Sequence, residues 1–412
     1  MIVLNKDQEK LIELLLAFVK NDEQYFLLAG QAGVGKTMCM RIFSQALKKK
    51  YPGFKICMCA PTNKATAVLR MTVDDDKIDY RTIYAVLGLR MTPDGGIKVL
   101  TDKGNNTIES YDIVILDEGS MISEELLEYI QAKTIVSGTK IVIIGDVEQL
   151  PPVQEADSPI WRHFTIDFEL NEVMRHQNSI LKFVQSIRAN DKPRFVSQGE
   201  QVFIESDLGF IDGIEVAAKA GEFHNGTAKA IAWRNITVNF LNKLIREAHK
   251  PGINSFFVPG DRVVFKEPVF IGTGKTKHAI AYTDQEGIVV GVNATQHTKY
   301  SMLKTWHLNI KLDNGKLLTS YVIHEAAAQL MQDMLQKYAN DKKWFPFWQL
   351  KEAFHDVAHA YAVTTHRSQG STFEKVFIEA GDILLNRNID ERTKCLYVAC
   401  SRASKELHIF PP

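Results

Sequence analysis

Residues Gly30-Gln31-Ala32-Gly33-Val34-Gly35-Lys36-Thr37 carry the residue types, at the spacing, that a nucleoside triphosphate requires. Glycines in such a turn let successive backbone N–H groups wrap phosphate oxygens at a helix N-terminus. Ala32 and Val34 would add their own amides to the cradle. The Lys36 ammonium would reach the β- and γ-phosphates, and the Thr37 hydroxyl would hold Mg²⁺.

Two carboxylates extend that chemistry. Asp117-Glu118 follows the apolar run Ile113–Leu116, so both emerge from a strand end. Asp117 would bind Mg²⁺ through its water shell, and Glu118 would orient and deprotonate an attacking water. Gln149 lies in Gly145-Asp146-Val147-Glu148-Gln149-Leu150-Pro151-Pro152-Val153 and can touch the γ-phosphate or that water. Phosphoryl transfer spreads negative charge over the transferred group, where a guanidinium is worth roughly 10³–10⁵ in rate. Arg175 and Arg402 are the candidates for that role.

These residues need a frame. Continuous apolar runs at Phe26–Ala29, Ile56–Ala60, Ile113–Leu116, Ile141–Ile144 and Phe164–Leu170 alternate with helical stretches. Continuous rather than alternating hydrophobicity predicts parallel strands covered on both faces, hence an α/β doubly wound sheet. Pro93-Asp94-Gly95-Gly96 between two extended arms predicts a β-hairpin inserted at about 89–102. A second α/β unit is expected from Ala230–Trp233, resuming near Ala358–Thr365. Between its halves, Pro259–Phe265, Gly287–Val292 and Leu308–Leu312 predict a small antiparallel barrel, followed by a helix over Glu325–Asn340. The aromatic run Trp344-Phe345-Pro346-Phe347-Trp348 is expected to pack between elements, with base stacking as the other use.

Bulk properties bound the reading. The 412 residues suffice for two or more domains, and 45% hydrophobic with 24% charged residues is ordinary for a globular protein. No apolar run nears the ~20 residues of a membrane span, so a cytoplasmic protein with no membrane partner is expected. Five cysteines lack zinc-site spacing; Cys57 and Cys59 alternate along one strand as small core residues. The 49 basic and 49 acidic residues balance, which argues against a broad basic face and leaves a narrow phosphate-binding groove.

A phosphate loop alone fits kinases, switch GTPases, clamp loaders and helicases. The ordered set is more specific: Gln8, the phosphate loop, Ala60-Pro61-Thr62-Asn63-Lys64-Ala65, Asp117-Glu118, Gly145–Val153, Arg175, Thr364–Thr372 and Leu396–Ala403. Over nearly the whole chain it resembles superfamily 1 helicases, in the 5′→3′ branch containing RecD and Dda.

The resemblance implies two RecA-like domains, at 1–175 and at 176–258 with 355–412. It also implies an SH3-like β-barrel with a helical and aromatic tower at 259–354, splitting the second domain. Gln8 would read adenine, and Gly370 would join the nucleotide set. Pro61, Thr62, Asn63, Lys64, Thr82 and Tyr84 from the first domain, with Thr365, His366 and Ser368 from the second, would hold DNA. Asn63 and Tyr84 stand where relatives often carry histidine or glycine, and histidine, respectively. The implied activity is ATP- and Mg²⁺-dependent 5′→3′ movement on single-stranded DNA with duplex unwinding, the hairpin serving as wedge. Protein displacement without strand separation is the other reading. Expected partners are single-stranded DNA, single-strand/duplex junctions, and single-stranded-DNA-binding or replication proteins. The expected setting is bacterial or phage-infected host cytosol. Phosphate contacts alone do not separate DNA from RNA.

Overall fold

The computed structural model describes residues 4–31, 33–152, 155–171, 179–188, 194–272 and 278–411. Its strands are β1 (Tyr25–Gly30), β2 (Ile56–Ala60), β3 (Asp79–Thr82), β4 (Leu89–Asp94), β5 (Ile97–Asp102), β6 (Ile113–Leu116), β7 (Lys140–Gly145), β8 (Phe168–Leu170), β9 (Val202–Ile204) and β10 (Ala228–Ala232). The remaining ten are β11 (Arg262–Phe265), β12 (Val269–Ile271), β13 (His278–Ala281), β14 (Glu286–Gln296), β15 (Lys304–Leu312), β16 (Leu317–Ile323), β17 (Val357–His359), β18 (Ala362–Thr364), β19 (Phe373–Glu379) and β20 (Ala403–Phe410).

The first sheet is parallel, in the order β3-β2-β6-β7-β1-β8. Parallel neighbours need crossovers, which the helices Lys36–Lys50, Asn63–Val73 and Glu124–Ser137 supply. Alternate residues of each strand then enter two cores. Ile56, Met58 and Ala60 join Leu28, Ile115 and Val142 on one face; Cys57 and Cys59 join Leu27, Leu116 and Ile143 on the other. All five cysteines are buried and free, as the strand pattern predicts for Cys57 and Cys59. Two details differ from the sequence reading. The last strand covers only Phe168–Leu170, because Pro159 opens a short helix, Pro159–His163, just ahead of it. Polar Asp79–Thr82, which periodicity misses, forms the edge strand β3.

A second parallel sheet, ordered β18-β10-β19-β20-β9, is also covered on both faces. Between β10 and β18 the chain forms the antiparallel sheet β16-β15-β14-β11-β17 around Phe257, Phe265, Trp306 and Leu308. Ala358, read from sequence as part of the second α/β unit, lies instead in β17, paired to Val264.

The helix Glu325–Asn340 leads into Trp344–Ala353, whose aromatic half reaches the first unit. Trp348 Nε1 donates to Gly95 O at 2.8 Å, and Lys98 pairs with Glu267 at 2.8 Å. Gly95 and Gly96 make the tip of the β4–β5 hairpin, and a methyl at Gly96 would sit 3.0 Å from the Trp344 ring. The aromatic run therefore packs between elements. No helix among the described residues is long and apolar enough to cross a membrane.

Candidate active site

In a parallel sheet all strand C-termini open on one edge, where ligands of open α/β folds bind. β1 delivers the phosphate loop there, β6 delivers Asp117-Glu118, and β7 delivers Gly145-Asp146. Gly33 and Gly35 both have φ of 87°, the left-handed region that glycine enters freely. A methyl at Gly35 would also lie 2.7 Å from Gln8 Nε2. Lys36 and Thr37 open the helix Lys36–Lys50, and Lys36 Nζ donates to Gly30 O at 2.6 Å and Gln31 O at 2.9 Å. Ala32 lies outside the described residues. Buried Gln8 donates through Nε2 to Val34 O at 3.1 Å, and its Oε1 accepts from Asn5 N in a capping box. This tethers the first helix to the phosphate loop.

Glu118 has φ of 57°, an uncommon backbone for a residue with a Cβ and a pointer to function. Its N–H donates to Asp117 Oδ1 at 2.8 Å. Burial, then the Asp117 charge, push the Glu118 carboxyl up to about 7, against the pull of Arg402 and Lys36. Burial likewise raises Asp117, which Lys36 opposes. Among the described residues, buried Gln149 Oε1 has no hydrogen-bond partner, an orphan acceptor suited to an incoming water or hydroxyl. Together with the two left-handed glycines, that orphan fits a triphosphate with its metal.

The second sheet closes on this edge. Arg402, at the head of β20, is buried, with Nη1 donating to Ser371 O at 3.1 Å and Nη2 to Ser401 Oγ at 2.7 Å. A methyl on Gly370 would lie 3.6 Å from Glu118 Oε1 and 3.4 Å from Ala65 Cβ. Tyr397 Oη donates to Asp146 Oδ2 at 2.6 Å, and Gln369 Nε2 to Leu150 O at 3.3 Å. The Glu118 carboxylate thus lies close to Gly370 of the second sheet and within reach of the Arg402 charge, which draws its carboxyl down. Arg175 lies outside the described residues, as does Val153 at the end of the Gly145–Val153 segment.

Beside the cleft runs a groove lined by Lys64, Asn235, Asp284, Glu286, Thr364 and Arg367. Thr62 caps the helix Asn63–Val73 and Thr82 the short helix Ile83–Val86, accepting from Ala65 N and Ala85 N, with Pro61 and exposed Asn63 adjoining the first cap. Lys64 Nζ lies 3.7 Å from Glu286 Oε1, and Tyr84 packs partly into the core. Thr365 and Ser368, expected at phosphates, are fully buried: their hydroxyls donate to Ala232 O and Thr365 O. In this structure they brace the turn from within, and the partly exposed groups of the segment are Thr364, His366 and Arg367. Arg367, which the sequence reading passed over, pairs with Asp284 at 2.6 Å. Its place inside the motif was the available signal.

The family model described as an AAA domain matches residues 3–212, and that of a UvrD-like helicase C-terminal domain matches 359–410. An uncharacterized protein of Acanthamoeba polyphaga mimivirus is 25% identical, covering 98% of this chain and 99% of its own. The ATP-dependent DNA helicase dda of Enterobacteria phage T4 is 24% identical, with 97% of each covered. The Pif1 helicase from Bacteroides, solved with ADP-AlF3 and single-stranded DNA, superposes with a TM-score of 0.54 at 16% identity, covering 100% of this chain and 92% of that one.

Proposed function

The chain belongs to the superfamily 1 helicases of the branch that includes RecD and Dda, as a DNA-dependent ATPase of two parallel-sheet α/β units, and on that premise we propose that it moves 5′→3′ along single-stranded DNA and separates duplex ahead of it. The observation that carries this reading is the close approach of Gly370, from the second sheet, to Glu118, from the first, whose carboxyl also feels the Arg402 charge. Hydrolysis that needs both halves of the cleft links each turnover to closing and opening.

In the proposed cycle the phosphate loop from Gly30 to Gly35 cradles ATP through its amides, and Lys36 leaves the Gly30 and Gln31 carbonyls for the β- and γ-phosphates. Gln8 positions the base. Glu118 takes a proton from the water that attacks the γ-phosphorus, while Gln149 Oε1 accepts its other hydrogen. Arg402 and Arg175 stabilise charge on the transferred group. Mg²⁺, held by Thr37 and the water shell of Asp117, would neutralise charge on the β- and γ-phosphates.

Lys64, Thr62, Asn63, Pro61, Thr82 and Tyr84 grip DNA from one side and the Thr364–Ser368 segment, with His366 foremost, from the other. Phosphate contacts of this kind carry no base preference, which suits a motor crossing any sequence. We assign 1–175 to the first RecA-like domain, 176–258 with the part of 355–412 that follows β17 to the second, and 259–354, extended through β17, to an SH3-like insertion with its tower. The β4–β5 hairpin, gripped by Trp348, is the proposed wedge at a single-strand/duplex junction.

The deciding experiment compares duplexes with a 5′ or a 3′ single-stranded tail under ATP and Mg²⁺, with Lys36→Ala as control. Unwinding from the 5′ tail alone is expected. Unwinding from the 3′ tail alone overturns the polarity, and DNA-stimulated hydrolysis without unwinding of either favours a protein-displacing translocase.

A further inference from the structure

Outside the ATP cleft, three side chains of different donor type converge. His366 Nε2 lies 3.7 Å from Glu391 Oε1, and the ligand atoms of His366, Glu391 and Cys395 all lie within 4.8 Å of one another. Glu391 and Cys395 are four residues apart in the helix Ile389–Cys400, so they project from one face. His366 comes from the short helix Thr365–Ser368, held by the Thr364 cap between β18 and β19. Zinc bonds of 2.0–2.3 Å set tetrahedral ligand spacings of roughly 3.3–3.7 Å, so the His–Glu pair is already at range and the thiol needs about 1 Å.

We propose that His366, Glu391 and Cys395 bind one Zn²⁺, with solvent in the fourth position. A nitrogen, an oxygen and a sulfur donor together select zinc-like ions over the oxygen-seeking Mg²⁺ that serves ATP. The His366 and Glu391 side chains are 29% and 36% exposed while Cys395 is buried, so the site opens to solvent on the side away from the thiol. On binding, the Cys395 proton leaves to solvent and the sulfur–metal bond replaces the sulfur–hydrogen bond.

The ion would fasten the Thr365–Ser368 turn to the helix that carries Tyr397 and leads to Arg402. It would also occupy His366 Nε2. Resting on the proposed DNA role of His366, the consequence is that zinc weakens single-stranded DNA binding.

The test titrates nucleotide-free protein with Co²⁺ and reads the absorption spectrum. The wild type is expected to show a thiolate-to-cobalt charge-transfer band with tetrahedral visible bands, abolished by stoichiometric Zn²⁺ and insensitive to Mg²⁺. Cys395→Ser should lose the charge-transfer band and Cys57→Ser keep it. Glu391→Gln, a near-isosteric change at a part-exposed position, should keep the wild-type Tm and weaken Co²⁺ affinity by roughly 10-fold or more, since even partners beyond the ligands are worth that much. No band in the wild type, or an unchanged one in Cys395→Ser, overturns the site. Zinc-insensitive DNA binding in a protein that shows the band overturns only the DNA consequence.

Discussion

Tyr397 donates its hydroxyl to Asp146 Oδ2 at 2.6 Å, joining the helix ahead of β20 to the loop that leaves β7. Both residues are 2% exposed, so the bond sits where the two parallel sheets meet and water does not compete. A buried bond to a charged group contributes about 1.5–3 kcal/mol. Tyr397→Phe removes it with little change of shape. Steady-state ATPase assays at saturating single-stranded DNA should show kcat/KM for ATP reduced by about 10-fold or more. Unchanged kinetics would mean that closure does not use this bond.

Glu118 supplies a pH dependence. Its carboxyl is held up to about 7 by burial and by Asp117, and only the carboxylate can accept a proton. ATP turnover should therefore rise with pH and fail below about 7, with Mg²⁺ beside Asp117 shifting the half-point downward. Stability runs the opposite way. The fold favours the neutral carboxyl, so its contribution is full below the unfolded pKa and lost as pH rises through about 7. Glu118→Gln should lose hydrolysis by roughly 10²–10⁴-fold, keep ATP binding, and raise Tm above neutral pH. A Tm lowered at alkaline pH would contradict this account.

The hairpin offers a separation of activities. Trp348 reaches Gly95 O from an element remote in sequence, and Lys98 pairs with Glu267 alongside it. Deleting Pro93–Ile97 should abolish unwinding while DNA-stimulated hydrolysis survives; Trp348→Phe, which removes the N–H donor together with one ring of the indole, should give an intermediate loss. If hydrolysis falls equally in a folded deletion protein, the hairpin is not a wedge.

Asp284 and Glu286 occupy the groove beside Arg367 and Lys64, where phosphates would sit. Asp284→Asn releases Arg367 and should tighten single-stranded DNA binding several-fold at low salt, with a steeper loss of affinity on adding salt. Fluorescence anisotropy across a salt series reads both. Weaker binding would show that Asp284 orients Arg367 instead of holding it from phosphate.

Most of the frame is legible because buried parallel strands leave continuous apolar runs, and β1, β2, β6 and β7 fall where those runs lie. β3 is not legible: Asp79 and Arg81 are exposed on an edge strand, so hydrophobicity carries no trace of it. Site legibility follows the same divide. Lys36 and Glu118 stand out since glycine spacing and strand-end carboxylates are local signals. The buried hydroxyls of Thr365 and Ser368, the Arg367–Asp284 pair and the grip of Trp348 on Gly95 depend on contacts between distant segments, which spacing does not encode.

The order of strands has a consequence for synthesis. β20 lies between β19 and β9 in the second sheet, and Arg402 immediately precedes it. As the chain emerges from the ribosome, β9 must wait, without its sheet neighbour, for a strand made two hundred residues later in round terms. The first unit, by contrast, has all its strands early and can load nucleotide long before the arginine arrives. On the proposed role of Arg402, a nascent or prematurely stopped chain would hold nucleotide without hydrolysing it. Under that reading only a finished second sheet completes the hydrolytic site.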